Sequence, residues 1–178
     1  MAGPAPKHRS GPPRAHAGAQ HFAIVAARFN ESISERLVAG AREALEEGKI
    51  AADRIEVHWV PGSFELPLAA SHLVATGRYA GVICVGVVIR GETPHFDYVA
   101  REAATGIREI AVSTGVPVTF GVITALTEEQ AWARAGGDVG NRGEEAAEAA
   151  LQMAEWLRQL GDHRAGRNPA RPGHVRRR

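Results

Sequence analysis

Apolar residues recur along the chain in two alternating periods, and the alternation predicts a repeated strand and helix. Residues 22–27 form a short apolar run of strand length, and residues 32–47 carry Ile33, Leu37, Ala41, Ala44 and Leu45 at helical spacing, stopped by Gly48. Residues 55–60 alternate like a strand, and residues 64–76 read as a helix with Pro67 in its first turn and Gly77 closing it. Residues 81–89 are β-branched and almost without polar interruption, the pattern of a parallel strand covered on both faces, which places this strand centrally. Residues 97–113 put Val99, Ala103, Ile107 and Ile110 on one helical face, and residues 116–123 form a fourth strand. Thr127 and Gln130 make a capping box for a short helix ending near Gly136, and a last amphipathic helix spans residues 143–160.

Regular βα alternation implies right-handed crossovers and helices on both faces of the sheet. The expected fold is therefore a three-layer α/β sandwich around a central four-stranded parallel sheet, flavodoxin-like in architecture, with no internal repeat. Ligands of such sheets bind outside the carboxyl ends of the strands. The segments to search are residues 28–32, 61–65, 90–95 and 124–127.

Composition divides the chain into a body and two tails. The 178 residues carry 21 Lys and Arg against 20 Asp and Glu; residues 1–20 and 161–178 hold nine of the bases and one of the acids, which leaves 12 bases and 19 acids between them. An acidic body of residues 21–160 thus carries two basic tails, residues 1–20 rich in Pro and Gly and residues 161–178 rich in Arg. Neither tail has the apolar content to fold, so both are expected to be disordered. The single cysteine, Cys84, lies inside an apolar run and reads as a buried hydrophobe, which favours a reducing cytoplasm. No apolar stretch approaches the roughly 20 residues that span a bilayer, so neither membrane nor export is expected.

Three of the four strand ends carry chemistry. Phe29 offers a face for a planar ring, or a plug over the sheet edge; Ser63 and Glu65 suit a helix start, where cap and dipole partner are the commoner roles. In Arg90-Gly91-Glu92-Thr93-Pro94-His95, Gly91 permits close backbone approach, Thr93 supplies a hydroxyl, and the following helix turns its N-terminus to the crevice, an anion site in outline. His95 could move protons near neutral pH; from this loop alone it reads equally as an acid-base group or a structural residue. Arg134 and Arg142 read as solvated surface or as a phosphate clamp. The histidines show no metal-ligand spacing, and no glycine-rich dinucleotide or P-loop pattern follows a strand.

Taken together, Ala27-Arg28-Phe29-Asn30, Pro61-Gly62-Ser63-Phe64-Glu65-Leu66-Pro67, residues 86–99, Phe120-Gly121-Val122-Ile123-Thr124, Thr127-Glu128-Glu129-Gln130-Ala131, Arg134-Ala135-Gly136 and Gly140-Asn141-Arg142-Gly143 resemble the 6,7-dimethyl-8-ribityllumazine synthase family. The resemblance covers roughly residues 21–160. It implies a transferase of riboflavin biosynthesis that joins 5-amino-6-(D-ribitylamino)pyrimidine-2,4-dione to 3,4-dihydroxy-2-butanone 4-phosphate, releasing phosphate and water without metal or redox cofactor. On the matching positions, Phe29 and Asn30 meet the pyrimidine, Ser63, Phe64 and Glu65 the ribityl chain, and Val87, Val88 and Ile89 the ring pocket. Arg90, Gly91, Glu92 and Thr93 match the segment that holds the phosphorylated substrate, with Arg134 and Arg142 at its phosphate and His95 as the proton-transfer residue. Arg142 departs from the family's usual lysine: the charge is kept, the shape is not.

The same resemblance gives Phe120 and Arg134 to the neighbouring subunit's site. It implies a homo-oligomer, a pentamer and, from the short glycine-rich turn at residues 136–143, a 60-subunit icosahedral shell, with riboflavin synthase as a further partner. The rival readings are a lumazine or flavin carrier that stores rather than makes its ligand, and a shell scaffold whose Arg164, Arg167, Arg171 and Arg176-Arg177-Arg178 hold anionic cargo. Retention of both His95 and Arg134 argues against the carrier, and solubilising tails are preferred to nucleic-acid binding. A flavodoxin-like electron carrier would need a phosphate loop after its first strand, which Arg28-Phe29-Asn30-Glu31-Ser32 does not resemble.

Overall fold

A computed structural model describes residues 21–165, with side chains through residue 161. The sheet contains β1 (His21–Ala27), β2 (Ile55–Val60), β3 (Tyr79–Ile89) and β4 (Val118–Ala125), all parallel, in the order β2-β1-β3-β4. Helices α1 (Glu31–Glu47), α2 (Leu66–Ala75) and α3 (His95–Thr114) make the crossovers, and α4 (Glu128–Ala133) and α5 (Arg142–Ala165) follow the last sheet strand. The expected three-layer α/β sandwich is the observed architecture.

The alternation of side chains along each strand divides the core in two. Ile24, Ile83 and Val85 pack with Leu37 and Leu45 of α1 and Ala146, Ala147 and Ala150 of α5; Val25, Val82 and Cys84 pack with Leu66 and Val74 of α2 and Ile107 of α3. Burial is continuous from Val82 to Val88, as a central strand requires. Val99, Ala103, Ile107 and Ile110 face this core as their spacing predicts, Ala103 and Ile107 fully buried. At full burial an isoleucine such as Ile107 contributes about 1.5–3 kcal/mol, and the single methyl of Ala103 about 0.8 kcal/mol.

Several boundaries differ from the pattern. Residues 63–65 form a 3-10 turn and α2 starts at Leu66, so Pro67 falls in the first helical turn, where its missing N–H has no partner to lose. The fourth strand starts two residues late because Pro117 cannot donate to a ladder and the Val116 N–H is taken by Thr114 Oγ1 at 3.3 Å. The turn at residues 136–143 contains a small antiparallel ribbon, β5 (Ala135–Gly137) with β6 (Gly140–Asn141), made possible by positive φ at Gly136 (99°) and Gly140 (92°). Helix α5 runs five residues past the expected end at Leu160, to Ala165. One glycine at 161 costs a helix interior about 1 kcal/mol and does not by itself end it. The expected disorder of residues 1–20 and of the remainder of the Arg-rich tail falls outside the described residues.

Candidate active site

The strand order reverses between β1 and β3: β1 leads by α1 to β2 on one side, and β2 leads back across to β3 on the other. That reversal opens a crevice at the carboxyl ends of the strands. The crevice is a cavity of about 670 Å³, built from three successive strand ends. After β1 comes Phe29; after β2, Pro61 to Glu65; from β3 onward, Val87, Val88, Ile89, Gly91, Thr93, His95, Phe96, Tyr98 and Val99.

Local structure explains each placement. The Arg28 and Phe29 N–H groups donate to Val60 O and Pro61 O at 2.8 and 3.1 Å, so the ends of β1 and β2 stay paired as the chain leaves the sheet. Arg28 lies 5.4 Å over the Trp59 ring and pairs with Glu31 at 2.6 Å, leaving Phe29 to project. Asn30 then takes a left-handed conformation (φ 61°), which asparagine tolerates, and its carbonyl receives the Ile33 and Ser34 N–H groups that start α1. Ser63 is buried against the sheet opposite Gly86, where a β-carbon would stand 2.7 Å from its hydroxyl; among the described residues that hydroxyl has no hydrogen-bond partner. Gly86 therefore makes room for the turn that carries Phe64 and Glu65 into the crevice.

His95 opens α3, whose N-terminus has no side-chain cap among the described residues. The first-turn N–H groups of such a helix attract anions to the loop in front of it. Around this polar end stand uncovered aromatic rings, Phe29 at 71% exposure, Phe64 at 58% and Tyr98 at 62%, far above what such rings show in a closed core. The arrangement offers flat apolar faces for a ring, a carboxylate at Glu65, an imidazole and an anion-attracting helix end within one cavity.

Most of the residues read from the sequence converge here: Phe29, Ser63, Phe64, Glu65, Val87, Val88, Ile89, Gly91, Thr93 and His95 all line the cavity. Six do not. Asn30 serves the backbone turn, Glu92 is exposed outside the lining, and the Arg90 guanidinium is turned onto Phe96 and Asp97. Phe120 lies in edge strand β4, paired with Cys84 and 42% exposed. Arg134 donates to Gln130 O at 3.0 Å, Arg142 pairs with Glu145, and the Arg142 N–H donates to Arg134 O at 2.9 Å, so these two arginines are neighbours away from the crevice of their own chain. Sequence reading missed Phe96, Tyr98 and Val99 as lining. The available signal was helical spacing, because positions three and four after His95 share its face.

Two other features lie apart. An open groove of about 720 Å³ between α1, α4 and the ribbon, lined by Arg36, Glu129, Trp132 and Asp138, takes no lining residue from the four-stranded sheet. Near the amino ends of the strands, Glu56 accepts from Tyr79 Oη at 2.6 Å and pairs with Arg78, with His21 and His58 beside it at 3.8 and 3.6 Å. The Tyr79 hydrogen bond, aided by Arg78 and the two histidines, holds the Glu56 carboxyl below the usual carboxylate range against the opposing effect of partial burial. Tyr79 is pushed up to about 12, by burial first and Glu56 second, and burial alone pushes the Cys84 thiol up to about 12. Cys84 is thus no nucleophile at neutral pH. No helix among the described residues is long and apolar enough to cross a membrane.

Fold and crevice define a parallel-sheet α/β protein whose cavity at the switch point of the sheet combines exposed aromatic faces with an anion-attracting helix end. The model of the 6,7-dimethyl-8-ribityllumazine synthase family matches residues 19–158. The chain belongs to that family, and so to riboflavin biosynthesis.

Proposed function

We propose that the crevice condenses 5-amino-6-(D-ribitylamino)pyrimidine-2,4-dione with 3,4-dihydroxy-2-butanone 4-phosphate to give 6,7-dimethyl-8-ribityllumazine, phosphate and water. The observation that carries this reading is the convergence of Phe29, Glu65, Val88 and His95 on one cavity in a chain of this family. Phe29 stacks on the pyrimidine, Val87, Val88 and Ile89 form the wall of its pocket, and the Ser63–Glu65 turn meets the ribityl hydroxyls. Gly91, Glu92 and Thr93, with the N-terminus of α3, hold the phosphorylated substrate.

The 5-amino nitrogen attacks the ketone carbon, and loss of water gives an imine. A proton leaves the adjacent carbon as the carbon–oxygen bond to phosphate breaks, the electron pair departing with the phosphate. The resulting enol takes up a proton to become a ketone, the ribityl-bearing nitrogen attacks it, and a second water is lost on closing the ring. His95 takes and returns the protons, and the positive end of α3 together with Arg134 stabilises the departing phosphate. Both substrates are reactive in themselves, so much of the acceleration comes from holding them in register.

Phe120, Arg134 and Arg142 lie outside the cavity of their own chain, which supports their serving the cavity of an adjacent subunit. The proposal therefore includes a homo-oligomer, a pentamer and from it a 60-subunit shell, with riboflavin synthase as a partner. Mixing both substrates with the protein and following lumazine fluorescence tests the reaction. Lumazine formed well above the buffer rate, with one phosphate released per lumazine, is the expected result. Binding of added lumazine without its formation would make the protein a carrier instead.

A further inference from the structure

We propose that Arg90 is a positioning residue, paired with Asp97 and stacked on Phe96, which holds the loop at residues 91–94 and His95 in place without touching phosphate itself. The inference rests on the function proposed above and deepens it by assigning the support of that loop. Arg90 is the first residue after β3, and its N–H donates to Ala125 O at 2.9 Å, so its backbone is tied to the sheet. Asp97 is the third residue of α3, tied to the loop by its N–H to Pro94 O at 3.0 Å. Between these anchors the Arg90 Nη2 donates to Asp97 Oδ2 at 3.4 Å, and the guanidinium lies 5.6 Å over the Phe96 ring. One side chain thus reaches from the end of the sheet to the start of the helix.

The loop it brackets has little other support. A β-carbon at Gly91 would meet nothing within 4 Å, residues 91–95 are all exposed, and no side chain from Glu92 to His95 makes a hydrogen bond among the described residues. Gly91, Thr93, His95 and Phe96 line the cavity while Arg90 and Asp97 do not. The face of the guanidinium is used by the aromatic ring and its edge by the carboxylate, the two modes in which arginine differs from lysine. An exposed ion pair of this kind adds little to folding, so its effect falls on the order of the loop and on turnover.

A double-mutant cycle with R90A, D97A and the pair tests this, read by kinetics and by calorimetric binding of inorganic phosphate. Each single variant should lower kcat about ten-fold and weaken phosphate binding about three-fold, and the double variant should do no worse than the more affected single, as members of one unit behave. R90A alone weakening phosphate binding while D97A leaves it unchanged would make Arg90 a phosphate ligand and overturn the proposal. Additive losses, or none, overturn it equally. If the wild-type protein makes no lumazine, the proposed reaction fails, whereas the phosphate titrations still decide the bracket by whether both variants shift together.

Discussion

At Gly143 a β-carbon would lie 2.0 Å from the carbonyl oxygen of Leu37, a backbone atom that cannot swing aside. The glycine lets α5 start directly against α1. Gly143→Ala is therefore expected to lower the urea unfolding midpoint by the equivalent of about 1–3 kcal/mol, the usual cost of overpacking, with an unchanged denaturant slope. Cys84 supplies a second test at this scale. Its thiol ordinarily titrates at 9.0 and in the fold at about 12, so between those values the unfolded chain loses a proton that the folded one keeps. Stability should fall with rising pH in that window by about 1.4 kcal/mol per unit from this group. Tyr79, moved from 10.0 to about 12, acts in the same direction. Urea denaturation of Cys84→Ala from pH 8 upward should show a shallower alkaline loss than the wild type, and parallel curves would contradict the assignment.

Among the elements, the junction of ribbon and α5 is knitted by one buried side chain. Asn141 donates to Arg36 O at 3.0 Å and accepts from the Gly143 and Glu144 N–H groups at 2.9 and 3.3 Å, capping α5 and fastening it to α1. Gly40 leaves it room, since a β-carbon there would fall 2.4 Å from its amide nitrogen. Asn141→Ala should cost about 0.5–2 kcal/mol for the lost cap, and about 0.5–1.5 kcal/mol more for the lost bond to the Arg36 carbonyl, as read by thermal unfolding. This junction also marks where the sequence pattern stops being informative. Period and length identify the four sheet strands and the long helices because each buries one face or both, as Ile33, Leu37 and Leu45 or Val82 to Val88 do. They cannot reveal a ribbon as short as β5 and β6, which is held by backbone conformation at Gly136 and Gly140 and by Asn141 rather than by an apolar face. The cavity lining was legible at Phe29, Ser63, Glu65 and His95 through their place among the matching motifs, since each alone reads equally well as a plug, a cap or a structural residue. It was not at Tyr98 and Val99, whose letters read as ordinary helix surface and core until His95 is placed on the same helix.

Taken as a whole, the molecule presents a cavity at one end of its sheet while Phe120 and Arg134 stand away from it. If sites form between subunits, an assembly randomly mixed from His95→Ala and Arg134→Ala chains contains about one site in four with both residues intact, because the two come from different chains in a head-to-tail interface. Activity in the mixture above the mean of the two pure variants is the expected outcome, and activity equal to that mean would place both residues in one chain's site. Single-turnover lumazine formation in His95→Ala shows whether His95 moves protons for the condensation proposed at the carboxyl ends of the strands. We predict substrate binding close to that of the wild type and a rate at least about 100-fold slower, yet above the buffer rate because positioning survives the loss of the imidazole. A variant that forms lumazine at the wild-type rate across the neutral pH range would rule out His95 as the group that moves the protons.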